Sequence, residues 1–291
     1  MRKMPNLKEI KSRITSVKST IQITSAMKMV SAAKLKKAQD AIIQLRPYSN
    51  KLTEIMSSVS SASEDSSQNK YSEVREVNKI LLVPITSNRG LCGGFNANII
   101  KTTIEIEKEL NSKSELTILS IGKKSSEFFK KNKYNVHSTH DDVFQDVNYE
   151  DVSKIAELIL NDFANEKFDK VILVYNQFKN AATQIVMQED FLPLNKTQSE
   201  NNQEAIDYIY EPGKDEILNE LIPKSLKTQL FKAILDSNAS EHGARMTAMH
   251  KATDNATELK NELTLSYNKA RQAAITGEIL EIVGGAEALN G

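Results

Sequence analysis

ITSVKSTIQITSAMKMVSAAKLKKAQ, residues 14–39, contains no Gly or Pro and steps its apolar side chains at alternating intervals of four and three. The same step extends outward in both directions, from Ile10 through Ile14, Val17, Ile21, Thr24, Lys28, Ser31, Leu35, Ala38, Ile42, Leu45 and Ser49 to Leu52, Met56 and Val59. A period of 3.5 is the signature of a coiled coil, in which one narrow seam of a helix meets a second helix. The one clear break is Lys28, and the remaining faces read as mostly Lys, Ser, Thr and Gln. Pro47 falls inside the repeat, where it removes a backbone hydrogen bond and predicts a kink or short break. At about 1.5 Å per residue, some 50 residues make a rod of about 75 Å, longer than a core of this size can hide.

The partner helix lies at the other end of the chain. From Asp215 a helical pattern runs almost to residue 291, and Ser240, Ala244, Ala248, Ala252 and Ala256 form a ridge of small residues four apart. The first helix is also rich in small residues (Ser25, Ala26, Ala32, Ala33), which lets two helices approach closely. Between the ends, KILLVPIT (79–86), ELTILSIG (115–122) and DKVILVYN (169–176) read as strands, alternating with helices near 96–110, 123–131 and 151–165. That alternation implies a parallel sheet. TQIVMQEDFLPL (183–194) and IDYIYE (206–211) read as further strands, and the Ser-rich SSVSSASEDSSQNK (57–70) as a flexible linker. The expected fold is α/β: a long antiparallel two-helix coiled coil formed by both termini, with a small Rossmann-like α/β domain inserted. Its parts are an N-terminal helix over 1–60, a linker over 61–76, the α/β domain over 77–211 and a C-terminal helix over 212–291.

Charge is distributed unevenly. The 291 residues sum to a net charge of zero, but residues 1–60 carry 12 Lys/Arg against 3 acids, a net +9. A basic arm of this kind expects an anionic partner: nucleic acid, lipid or an acidic protein surface. Nucleic acid is disfavoured because the basic helix already carries a seam and has only Tyr48 for stacking. No apolar run is long enough for a bilayer span, so no direct membrane insertion is expected. The basic start lacks the apolar core of a secretory signal, and a single Cys92 excludes an internal disulfide framework.

Catalytic apparatus is not apparent. SNRGLCGGFNANI (87–99) is Gly-rich and sits between a strand and a helix, a place where phosphate can bind. Its spacing is neither a dinucleotide fingerprint nor a P-loop, so it reads as a tight turn. GKKSS (122–126) lacks the upstream glycine of a P-loop. HSTHDD (137–142) reads as a solvated turn rather than a metal site, and His242 and His250 are eight apart, without zinc-helix spacing. Cys92 reads as a small buried residue.

Taken in order and spacing, ITSVKSTIQITSAMKMVSAAKLKKAQ, SNRGLCGGFNANI, IDYIYEP and SEHGARMTAMHKATDNATELKNELTLSYNKARQAAITGEILEIVGGAEAL resemble the γ-subunit family of F-type ATP synthases over essentially the whole chain. The resemblance implies a rotor shaft, present in one copy inside a hexamer of α and β subunits, with the α/β domain below it against the ε subunit and the c-ring. It implies no catalytic site, cofactor or metal of the chain's own. It assigns Arg245, Arg271, Gln272, Thr276, Met27 and Lys28 to β-subunit contacts, and Tyr208 and Tyr210 to the foot beside ε and the c-ring. The regulatory cysteine pair of chloroplast forms is missing, as is a transit peptide, so the expectation is a bacterial form peripheral to the cytoplasmic face of the inner membrane. The other reading is an α/β ligand-binding protein with a basic coiled-coil arm.

The closing stretch, KARQAAITGEILEIVGGAEALNG (269–291), has no Lys or Arg after Arg271. Ile275, Ile279, Ile282, Val283 and Leu280 make an apolar face wider than a coiled-coil seam, and the expectation is that other chains close around it. Gly277 inside this helix has no evident reason.

Overall fold

The computed structural model describes residues 7–62, 70–73, 75–110, 114–194 and 213–290. The segment IDYIYE, with Tyr208 and Tyr210, lies outside the described residues. Helix α1 spans Leu7–Ala62; β1 Lys79–Pro84; α2 Phe95–Leu110; β2 Glu115–Ile121; α3 Lys123–Lys131; β3 Val136–His140; α4 Tyr149–Ala164; β4 Lys170–Phe178; β5 Gln184–Leu192; and α5 Lys214–Asn290. By compactness the chain divides into two units, Ser31–Arg245 and the pair Met1–Val30 with Met246–Gly291.

In the larger unit the strands form one sheet in the order β3-β2-β1-β4-β5. The first four run parallel, and β5 pairs antiparallel with β4. β1 and β4 are buried on both faces, which is why their sequences are continuous aliphatic runs rather than alternating ones. Ile80, Leu82, Ile172 and Val174 face one side and pack with Ile99 and Ile106 of α2. Leu81, Val83, Val171 and Leu173 face the other and pack with Val152, Ile155 and Ile159 of α4 and with Leu226, Leu230 and Ile234 of α5. The α4 helix starts where Asn148 caps it, its side chain accepting from Asp151 N–H at 2.8 Å. On α1, Ser31, Leu35, Ala38, Ile42 and Leu52 are buried, following the predicted seam.

In the smaller unit α1 and α5 run antiparallel. Thr253 Oγ1 donates to Thr24 Oγ1 at 2.8 Å, while Lys28 Nζ lies 3.5 Å from His250 Nδ1. Thr24 in turn donates to the carbonyl of Thr20. Lys28, the break in the heptad seam, therefore faces a histidine of the other helix.

Four expectations need correction. α1 has no break at Pro47, which lies inside one continuous helix; Pro47 and Ile43, whose carbonyl loses its intrahelical donor, are both exposed to solvent. The helix also continues to Ala62, through the first half of the stretch read as a linker; residues 63–69 lie outside the description. HSTHDD is no turn: Val136–His140 is edge strand β3, and His137 Nε2 meets Asp162 Oδ2 of α4 at 2.8 Å. Finally, the off-seam face of α1 is less polar than it reads, since Ile23, Met29, Val30 and Ile43 are all exposed.

Glycine positions give a direct test of this packing. Gly122 sits at φ 95°, and a Cβ there would lie 2.0 Å from the carbonyl oxygen of Thr86. Gly277 has open space around it. Urea unfolding of the full chain should therefore show Gly122→Ala destabilised by at least about 2 kcal/mol. Gly277→Ala should be stabilised by up to about 1 kcal/mol, the ordinary helix-propensity gain.

Candidate functional site

In a doubly wound sheet, ligands bind beyond the carboxyl ends of the strands at the point where the strand order reverses. Here that point lies between β1 and β4. The loop after β1 carries SNRGLCGG, and its backbone is fixed by side chains. Asn96 Oδ1 accepts from Ser87 N–H at 2.9 Å, and Asn96 Nδ2 donates to Ser87 Oγ at 2.8 Å and approaches Cys92 Sγ at 3.2 Å. Leu91 and Gly93 take positive φ values of 62° and 61°, turning the chain sharply into α2.

The crevice is filled by α5. Ser240 Oγ donates to the carbonyl of Asn176 on β4 at 3.0 Å. Asn176 Nδ2 donates to the carbonyl of Phe95 at 3.3 Å, so β4, the start of α2 and α5 are joined through one buried asparagine. Gly243 lies so close to the loop after β4 that a Cβ would sit 3.2 Å from the backbone of Ala181. Ala244 packs on Cys92 and Phe95. Arg245 is only 8% exposed. Its Nη2 donates to the carbonyls of Arg89 at 3.0 Å and Gly90 at 3.4 Å, and Nε to Gly90 at 3.4 Å. Its Nη1 pairs with Glu241 at 2.7 Å and lies 3.4 Å from His242 Nδ1.

A guanidinium thus stands where a phosphate would have to sit, and it meets outward-turned carbonyls rather than a nest of N–H groups. The N-terminus of α3 is likewise committed. Lys123 N–H donates to Asn88 Oδ1 at 2.9 Å, Lys124 N–H to the Ser87 carbonyl at 3.1 Å, Ser125 N–H to Thr86 Oγ1 at 2.9 Å and Ser126 N–H to the Gly122 carbonyl at 3.3 Å. The donors that make a helix start an anion site are all spent inside the fold. Among the described residues, no group of three His, Cys, Asp or Glu is placed to hold a metal. Burial raises the Cys92 thiol above its usual value, which leaves it protonated.

The other residues named from the sequence lie apart from this crevice. Met27 and Lys28 are half-buried on α1. Arg271, Gln272 and Thr276 are exposed on α5, with Thr276 Oγ1 donating to the Gln272 carbonyl at 2.9 Å. The apolar residues that follow, Ile275, Ile279, Leu280, Ile282 and Val283, are 49–71% exposed. The sequence reading missed Ser240 and Glu241. The available signal was that both are polar and lie on or beside a ridge of small residues close to an Arg, where a polar group has to find a partner.

Two ionisable groups on α5 oppose each other. Burial first, then Arg245 and Lys34, push His242 down to about 4, so its Nδ1 stays neutral and accepts from Arg245. Burial first, then Glu189, push Asp236 up to about 6, against Lys232 and Arg46. Between pH 6.5 and 4 the unfolded chain binds a proton at His242 that the folded chain refuses, so stability from this group is intact above 6.5 and is lost as pH falls. Between 3.8 and 6 the folded chain keeps a proton on Asp236 that the unfolded chain has lost, so this contribution is lost as pH rises. Each amounts to roughly 3 kcal/mol at most. Relative to the parent chain, Asp236→Asn should gain stability at pH 7 and show a steeper rise from pH 4 to 6.5. His242→Gln should show stability falling from pH 4 to 6. Denaturant melts across that range measure both.

A family model described as ATP synthase matches residues 6–289. The chain is 59% identical over 288 residues to the ATP synthase gamma chain of Christiangramia forsetii, covering 99% of this chain and 100% of that one. It is 60% identical over 288 residues to that of Flavobacterium johnsoniae, with the same coverage. Among solved structures it is similar to a chain of the central stalk and c-ring of the Tetrahymena thermophila mitochondrial ATP synthase, with a TM-score of 0.59 and 30% identity over 79% of this chain and 99% of that one. A chain of the Euglena gracilis mitochondrial enzyme shares the fold, with a TM-score of 0.69 at 23% identity over 97% and 94% of the two chains. By sequence over nearly its whole length, and by a fold shared with these ATP synthase chains, the chain belongs to the ATP synthase gamma chain family.

Proposed function

We propose that this chain is the central rotor shaft of an F-type ATP synthase. It transmits rotation between a proton-driven c-ring and the catalytic sites of a surrounding hexamer of α and β subunits, and the nucleotide chemistry belongs to those subunits. The observation that carries this reading is the bare apolar end of α5: a well-formed helix leaves five large aliphatic side chains in water, a surface that other chains have to close. One copy serves each complex. Among the described residues no helix is long and apolar enough to cross a membrane. The chain is peripheral to a membrane-associated complex, at the cytoplasmic face of a bacterial inner membrane.

Arg271, Gln272 and Thr276 offer donors and acceptors to a β-subunit loop, just before the bearing surface begins. Met27 and Lys28 lie on the stretch of α1 that passes the β-subunit lever. Arg245, assigned to the same lever by resemblance, is committed inside the chain. Its part in that contact runs through the turn it holds, which presents the exposed Arg89 and Leu91. Tyr208 and Tyr210 belong to the foot that meets ε and the c-ring. The ligand-binding alternative is disfavoured by α5, which occupies the crevice such a protein would use.

Reconstitution with the α and β subunits of the same organism tests the reading. The chain should co-purify in one copy per hexamer and restore steady ATP hydrolysis; a hexamer indifferent to its presence would refute a shaft role. In the membrane-bound complex, Gln272→Ala with Thr276→Ala should lower ATP synthesis several-fold while the isolated chain unfolds at the parent's denaturant midpoint. Unchanged synthesis would remove these two side chains from torque transfer and assembly.

A further inference from the structure

We infer that Ser240–Arg245 of α5 is the mechanical joint through which the α/β domain drives the shaft helix, built by filling the sheet's ligand crevice with the chain's own helix. The inference rests on the rotor reading and adds the place where load passes.

A foot that turns a shaft must resist twist about the helix axis. Apolar packing between Leu226, Leu230 and Ile234 and the sheet is non-directional, and such a contact resists separation better than sliding. Resistance to rotation needs directional contacts at different azimuths on the helix. The segment supplies two, together with one close steric approach. Ser240 bonds to the end of β4, Gly243 lies against the backbone of the loop after β4, and Arg245 forks onto two carbonyls of the loop after β1. At about 100° per residue these positions point in different directions around α5. A twist that relaxes one contact therefore strains another.

The joint is buried and charge-assisted. Ser240 is inaccessible to water, and the Arg245–Glu241 pair is 9% and 8% exposed by side chain. Hydrogen bonds from a guanidinium are stronger than neutral ones, and shielding from water lengthens the time they hold under load. Glu241 fixes the guanidinium so that Nε and Nη2 remain aimed at Gly90 and Arg89. It is a positioning residue, acting through Arg245.

The test measures torsional stiffness directly. A bead is attached to an introduced cysteine, Lys108→Cys, on the exposed face of the α/β domain in the soluble complex with α and β subunits; native Cys92 is buried. Angular fluctuation during catalytic pauses reports compliance between bead and hexamer. Ser240→Ala combined with Gly243→Val removes one directional contact and wedges apart the close approach to Ala181. It should at least double the angular variance while the unloaded hydrolysis rate stays within twofold of the parent. Glu241→Gln keeps the side chain's size and loosens only the hold on Arg245, so it reads out the joint if the double variant fails to fold. It should raise the variance by a smaller factor. Unchanged variance in a folded variant would overturn the joint. Failure of the unmodified chain to rotate would instead overturn the rotor reading, so the two are separable.

Discussion

The burial of one face of α5 against the sheet is the contact on which the rest depends. Ile222, Leu226, Leu230, Ala233 and Ile234 step by about four along the helix and cover sheet positions beside α4. Without them Leu81, Val83, Leu173 and Phe191 would lack part of their cover. Burying five such side chains contributes on the order of 10 kcal/mol, comparable with the net stability of a whole domain. The same helix then continues for dozens of residues beyond the sheet. The α/β domain is therefore not a module hung on a linker, because its core is completed by the element that leaves it.

That sharing bears on why the crevice of this sheet, among the described residues, is occupied by the chain itself. A phosphate site needs free N–H groups, a helix start and room. Here the α3 start spends its donors on Ser87, Asn88, Thr86 and Gly122, and the room beyond β1 and β4 is taken by Ser240–Arg245. The small residues of α5 serve this end. Gly243 and Ala244 allow the helix axis to approach the loops, and the long side chain of Arg245 then satisfies the carbonyls that approach would otherwise leave unmet.

Much of the fold was legible because its signals are periodic. The heptads of α1 and the small ridge of α5 repeat at the helical period, and the aliphatic runs of β1, β2 and β4 are continuous, as strands covered on both faces are. Strand β3 was not legible. It is five residues at a sheet edge with two His and little apolar content, and it is held by its backbone ladder and by His137 against Asp162, a contact 25 positions distant in sequence. The break expected at Pro47 is absent for a related reason: a freed carbonyl is costly when buried, and this one is exposed to solvent. The crevice contacts were the least legible. Ser240, Glu241 and Arg245 act on carbonyls from strands and turns far away in the chain, and backbone acceptors leave no mark in a sequence. The resemblance supplied Arg245 as a residue of interest, while its partners come only from the coordinates.

The surface of the long helices follows from the proposed task. Two kinds of exposed side chain alternate along them. Ile23, Ala26, Val30 and Ala33 form a second stripe on α1, and the end of α5 carries its aliphatic cluster. Contacts of this kind depend on area and hardly on angle, so their energy changes little as one surface turns past another. Hydrogen bonds and ion pairs depend steeply on direction and produce preferred angles. A shaft that must turn yet pause at defined positions needs mostly the first kind, with a few of the second. Arg271, Gln272 and Thr276, set immediately before the aliphatic end, have that proportion. The Arg245–Glu241 pair and the hydrogen bond from Ser240 are instead buried, where they bind the chain to itself.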